Sequence, residues 1–147
     1  MIPFGFEYYR PETVDEAVEV FQRLDGQGKQ PLYYAGGTEI ITMARVSNIF
    51  TKAVVDIKGI PECNILEFQG DSLVAGAAVT LSRITESGLF PALGAACARI
   101  ADHTVQCKVT LGGNIAGAII YREAALPLLV CDASLVIAGP RGQWTAA

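Results

Sequence analysis

At 147 residues the chain has the size of one ordinary domain, long enough to bury a core without disulfide staples. Half of it is apolar and only 18% is charged, which excludes a disordered or solvating segment. The formal net charge of -4, with no basic stripe, excludes a surface that grips nucleic acid by neutralising phosphates.

Residues Phe6 to Tyr9 read as extended and Pro11 closes them. Thr13 then opens a helix, with Glu16 three places on to complete a capping box. Val14, Ala17, Val18, Phe21 and Leu24 follow helical spacing, and Gly26 is expected to end the helix in the left-handed conformation. Pro31 to Ala35 predicts a strand, Gly36-Gly37 a sharp turn, and Thr38 the cap of a short helix through Arg45. Ala53 to Ile57 predicts another strand, so residues 1–57 form a small β-α-β-α-β unit of parallel character.

Ile65 to Phe68 and Ser72 to Ala75 flank Gly70-Asp71, the signature of an antiparallel hairpin. Leu89, Leu93, Ala96 or Cys97, and Ile100 form a second helical stripe, with Ser87 or Gly88 at its entry and Pro91 in its first turn. A shorter helix is expected from Glu123 to Val130, around Pro127. Ser134 to Ala138, GPRG and Gln143 to Thr145 predict a last hairpin, and because the chain stops inside it the sequence reads as a truncation or proteolytic fragment. The expected division is a small subdomain over 1–57 and a larger, truncated α/β subdomain over 58–147.

No apolar run approaches the roughly 18 residues of a membrane span, and the amino terminus lacks the pattern of a signal peptide. A soluble, cytoplasmic protein is expected. Cys63, Cys97, Cys107 and Cys131 are too widely spaced for a CxxC pair, so reduced thiols and no metal site are expected. The single histidine, His103, has no partner in the sequence and is assigned no role. Tyr8, Tyr9, Tyr33 and Tyr34 could stack on a flat ring, although alternation in two strands favours packing.

Two stretches, AGGTE and TLGGN, each place a double glycine before a Thr, Asn or helix start. Backbone N–H groups left free at such turns converge on anions, and glycine lets a ligand approach the main chain. Two such cradles could clasp two linked phosphates; as plain turns they would do nothing more. Neither is a GxGxxG fingerprint or a P-loop. In Tyr121-Arg122-Glu123 the carboxylate could accept hydrogen bonds from ribose or ribityl hydroxyls, or the triplet could be a solvated loop.

The order FxYxRPxTxxEA, AGGTEI, GAAVTLSRI, TLGGNI and PLLVCDA resembles the FAD-binding subunit of molybdenum hydroxylases. That family includes the flavin domains of xanthine dehydrogenase and the medium subunit of carbon monoxide dehydrogenase. The resemblance implies an α+β, PCMH-type (vanillyl-alcohol oxidase) fold of two subdomains, with the carboxy-terminal part missing. It also implies non-covalent FAD on Ala35, Gly36, Gly37, Thr38, Glu39, Ile40, Thr110, Leu111, Gly112, Gly113 and Asn114, with the pyrophosphate on the glycine loops. Glu123 stands where relatives carry an acidic residue near the FAD sugar or ribityl chain. Gln106-Cys107 departs from the Arg-Asn pair usual before the second loop.

By that resemblance the parent enzyme is a xanthine dehydrogenase-like oxidoreductase complex. Molybdopterin and 2Fe-2S clusters sit on partner subunits, and FAD passes electrons to NAD or another acceptor. No catalytic acid, base or nucleophile is expected from this chain, and the fragment is not expected to be active alone. Two other readings stay open: a FAD-less structural or assembly module, and a different nucleotide-binding module.

Overall fold

The computed structural model describes residues 1–146. They pack as two compact units.

The first unit takes Met1–Ala35, Glu39–Glu62 and the residues from Ser134 onward. Three short strands, β1 (Glu7–Tyr9), β2 (Leu32–Tyr34) and β3 (Ala53–Asp56), form a parallel sheet in the order β1-β3-β2. The central β3 is buried along its length, as expected for a parallel strand covered on both faces. Helix α1 (Val14–Gly26) covers it with Ala17, Val20 and Leu24.

The start of α1 is capped as its sequence predicts: the Thr13 hydroxyl accepts from the Glu16 amide. The Glu16 carboxylate, however, reaches past the cap to the Glu12 amide at 2.7 Å, so the box closes one residue early. The end of α1 also differs from expectation. Gly26 stays helical and Gly28 takes the left-handed conformation, at φ 68°. The amides of Gly28 and Lys29 bond back to Asp25 and Leu24, a Schellman closure that requires the left-handed residue two places later. Helix α2 (Thr38–Arg45) follows β2, and the hairpin of β6 (Leu135–Gly139) and β7 (Gly142–Ala146) lies with β6 against α1.

The second unit takes Gly36–Thr38 and Cys63–Ala133. The hairpin of β4 (Leu66–Gln69) and β5 (Ser72–Ala75) turns at Gly70-Asp71, with Gly70 at φ 61°. Five short helices follow: α3 (Leu81–Ser87), α4 (Pro91–Cys97), α5 (His103–Gln106), α6 (Leu111–Ala116) and α7 (Ala125–Val130). The core here is Val79, Leu81, Ile84, Leu93, Cys97, Ile100, Leu111 and Ala124. Helices α3, α5 and α6 are absent from the sequence-based reading: each is short, and none sits in an extended apolar stripe like the one from Leu89 to Ile100 that marked α4. The residues from Ser134 onward group with the first unit, whereas the sequence division set them with 58–147.

Candidate functional site

The first glycine pair lies between the end of β2 and the start of α2. Gly37 takes φ 69°, a conformation that a β-carbon penalises, so the turn needs glycine there. Gly36 needs glycine for a different reason: a β-carbon would lie 1.8 Å from the Lys108 carbonyl oxygen and 3.4 Å from the Val109 α-carbon. The backbone of the first motif therefore rests on the residues just before Thr110. The amides of Gly36, Gly37 and Thr38 have no internal hydrogen-bond partner among the described residues, and all three residues are half-buried. They open the eight-residue helix α2, whose dipole adds positive potential at the same end.

The second glycine pair is built otherwise, and the expectation of free donors there is corrected. Thr110 is the cap of α6, and Gly112-Gly113 form its first turn rather than a loop. The Leu111 amide donates to Val79 O at 2.8 Å, the Gly112 amide to Ala77 O at 2.9 Å, and the Gly113 amide to the Thr110 hydroxyl at 3.3 Å. The GAAVTLSRI stretch supplies those two carbonyls: Thr80 and Thr110 pair across an antiparallel bridge, each capping its own helix. A β-carbon on Gly112 would lie 2.7 Å from that of Ala77, so its glycine serves backbone packing. Gly113 is exposed and presents no side chain.

Asn114 ties this motif to Glu123. Its side-chain amide donates to Tyr121 O at 2.9 Å, and its oxygen accepts from the Ala124 amide at 3.3 Å. Glu123 Oε2 is buried without a hydrogen-bond partner among the described residues. The same side chain lines an apolar cavity of about 380 Å³ with Ala92, Ala96, Arg99 and Leu126. An orphaned carboxylate oxygen is costly unless a donor arrives, so this atom is suited to accept a ligand hydroxyl.

Of the remaining predicted residues, Ala35 offers its carbonyl to Lys58 Nζ at 3.1 Å. Ile40 lines a separate cavity of about 230 Å³ in the first unit, beside Tyr8, Tyr34 and Ala44. The structure thus sets the Gly36 turn against the Lys108–Val109 backbone and ties Asn114 to the residues on either side of Glu123, whose own cavity holds none of the glycine-motif residues; Ile40 lines the cavity of the first unit.

Sequence reasoning missed Asp56 and Lys58, and weighed Tyr8 only for ring stacking or packing, not for its bond to Asp56. Asp56 is buried at the end of β3 and accepts from Tyr8 Oη at 2.5 Å, Lys58 Nζ at 2.6 Å and the Lys58 amide at 2.9 Å. Burial works to raise its carboxyl, but those hydrogen bonds outweigh it and hold Asp56 below the ordinary carboxylate value; Tyr8 is raised in turn, chiefly by its bond to Asp56. The available signal was an acid closing an apolar strand, followed two residues on by a lysine.

The chain matches the family described as FAD binding domain in molybdopterin dehydrogenase over residues 4–147. It belongs to that family. Among curated relatives, it is 30% identical to the carbon monoxide dehydrogenase medium chain of Hydrogenophaga pseudoflava, covering 99% of this chain and 51% of the relative. It is 31% identical to the xanthine dehydrogenase FAD-binding subunit of Escherichia coli O157:H7, covering 92% and 47%. A solved carbon monoxide dehydrogenase from Hydrogenophaga pseudoflava, one lacking the Mo-pyranopterin moiety of its molybdenum cofactor, matches with a TM-score of 0.88 at 28% identity. That match covers 99% of this chain and 51% of that chain. The FAD-binding domain therefore spans about half the length of the relatives it matches, and the α+β fold expected from the sequence is theirs. FAD is the cofactor of the family, and the free turn donors and the orphaned Glu123 oxygen fit it.

No described helix is long and apolar enough to cross a membrane, and no group of three metal-ligating side chains occurs among the described residues. All four cysteines are free thiols. Burial pushes the Cys97 thiol up to about 11, so it stays protonated and inert.

Proposed function

We propose that this chain holds FAD as the electron-transfer flavoprotein part of a molybdenum hydroxylase complex of the xanthine dehydrogenase type. The observation that carries the reading is the turn of unpartnered amides at Gly36, Gly37 and Thr38 opening α2, in a chain of a FAD-binding family. FAD accepts electrons singly and hands them on in pairs, which suits a position between 2Fe-2S clusters and NAD or another acceptor.

The chain's own part is placement. The Gly36, Gly37 and Thr38 amides, with the Thr38 hydroxyl, would donate to the pyrophosphate at the positive end of α2. Ala35 and Glu39 flank that turn and Ile40 extends it into α2. Gly112 and Gly113 would contribute a side-chain-free surface, with Thr110, Leu111 and Asn114 buried behind it, stiffened by the internal bonds of Leu111, Gly112 and Gly113, rather than backbone donors. Glu123 Oε2 would accept a sugar or ribityl hydroxyl. No residue at the site is required to move a proton.

The expected partners are an iron–sulfur subunit and a molybdopterin subunit, in the cytoplasm.

An absorption spectrum of the purified protein, repeated after FAD addition and removal of excess, tests this. Flavin bands that persist are the expected outcome. Retention of NAD without flavin would move the assignment to another nucleotide module, and retention of neither to a FAD-less assembly role.

A further inference from the structure

The Ala35–Gly36 peptide is held from outside the turn. Its carbonyl accepts from Lys58 Nζ at 3.1 Å. That ammonium is itself fixed: Asp56 Oδ2 lies 2.6 Å away, and Nζ sits 4.3 Å from the centre of the Tyr34 ring. Asp56 cannot swing aside, because it is buried and also takes Tyr8 Oη and the Lys58 amide. Lysine side chains normally lose conformational freedom at a cost, so one anchored on a carboxylate, a ring face and a carbonyl is positioned in advance.

A trans peptide is planar, with C=O and N–H pointing in opposite directions. Fixing the Ala35 carbonyl on Lys58 therefore fixes the direction of the Gly36 N–H, the first of the three open donors of the turn. Gly37, with its left-handed freedom, follows directly, and a glycine pair left to itself would sample many peptide orientations.

We propose that Lys58, anchored by Asp56 and Tyr8, is a positioning residue that pre-sets the phosphate-binding turn by holding the Ala35 carbonyl. The inference rests on the reading of Gly36–Thr38 as the phosphate site. It requires no contact between Lys58 and the cofactor. Its effect is to spare the turn the cost of ordering when a phosphate arrives.

The test uses the full chain with ADP and FAD as probes, read by calorimetric titration and by amide NMR of Gly36 and Gly37. Lys58→Met is expected to weaken both ligands about tenfold, the scale of one charge-assisted hydrogen bond. It should also move the free-state Gly36 amide resonance and shrink its ADP-induced shift, while the Val79 and Leu111 amides stay in place. Lys58→Arg, which keeps the cation, should restore affinity. A purely structural role for Lys58 would disturb the core amides and leave the Gly36 response intact, and that pattern overturns the inference. Gly37→Val separates the two levels. If it binds ADP as tightly as the parent, or the parent binds neither probe, the phosphate-site reading falls and the inference with it. If Gly37→Val loses binding and Lys58→Met does not, only the role of Lys58 falls.

Discussion

The two glycine pairs look alike in the sequence and do opposite things with their amides. At Gly36-Gly37 the donors are open and the turn is anchored through the carbonyl before it; at Gly112-Gly113 the donors are consumed by Ala77, Thr110 and, one residue earlier, Val79. The reason is what lies alongside. The first pair leaves the end of a three-residue strand, where no further strand residue takes its amides. The second emerges from the Thr80–Thr110 bridge, where the antiparallel neighbour presents the Val79 and Ala77 carbonyls to the next two amides and the Thr110 cap takes the third. A double glycine therefore reports close backbone approach, and whether it can bind an anion depends on whether its amides, as distinct from its α-carbons, face a carbonyl or open space.

The comparison can be broken by adding single carbons. Gly36→Ala should have the largest effect, because its β-carbon would meet a backbone oxygen at 1.8 Å and nothing flexible can yield. A loss of about 3 kcal/mol or more is expected in chemical denaturation, at the upper end of overpacking effects. Gly112→Ala meets Ala77 at 2.7 to 3.0 Å and should cost about 1–3 kcal/mol, with any loss of FAD following from loss of fold. Gly37→Ala should cost only about 1 kcal/mol, the strain of a left-handed residue, yet weaken FAD binding beyond what that stability loss explains. A denaturation series run beside FAD titrations separates the three; equal loss of affinity per unit of lost stability in all of them would erase the proposed difference.

The smallest effect sharpens the contrast through pH. The anchor of the first turn titrates, whereas the second turn leans on amides and a hydroxyl. Asp56 has a folded pKa below its ordinary 3.8, so its contribution is whole above that value and is lost as pH falls through the lower folded one. Thermal midpoints measured from pH 6 down to 3 should fall less steeply in Asp56→Asn than in the parent chain. Parallel curves would show that the network around Lys58 adds nothing to the folded state.

Much of the first unit was legible in the sequence because its signals are local. Thr13 caps α1 and the α1 stripe has enough turns to be periodic; in the second unit the one comparably local signal, Gly70-Asp71, names its hairpin. The carboxy-terminal end of α1 was misread since a helix can continue through one glycine when a second, two residues on, closes it better. In the second unit Leu81–Ser87 and Leu111–Ala116 pack into the core with Leu93, Cys97 and Ile100, and His103–Gln106 is tied back through Gln106 to the Ala98, Ile100 and Ala101 carbonyls, so a window of residues carries too little of their stabilisation.

For the site, the order of motifs along the chain was enough to determine the family and the cofactor, because several spaced patterns together are specific where one is not. Which amides remain open, and that Lys58 grips the Ala35 carbonyl from 23 residues away, were decided only by the tertiary structure. The physical reason is that a hydrogen-bond donor is free or spent according to its spatial neighbours, and chain order does not say which carbonyl will stand opposite.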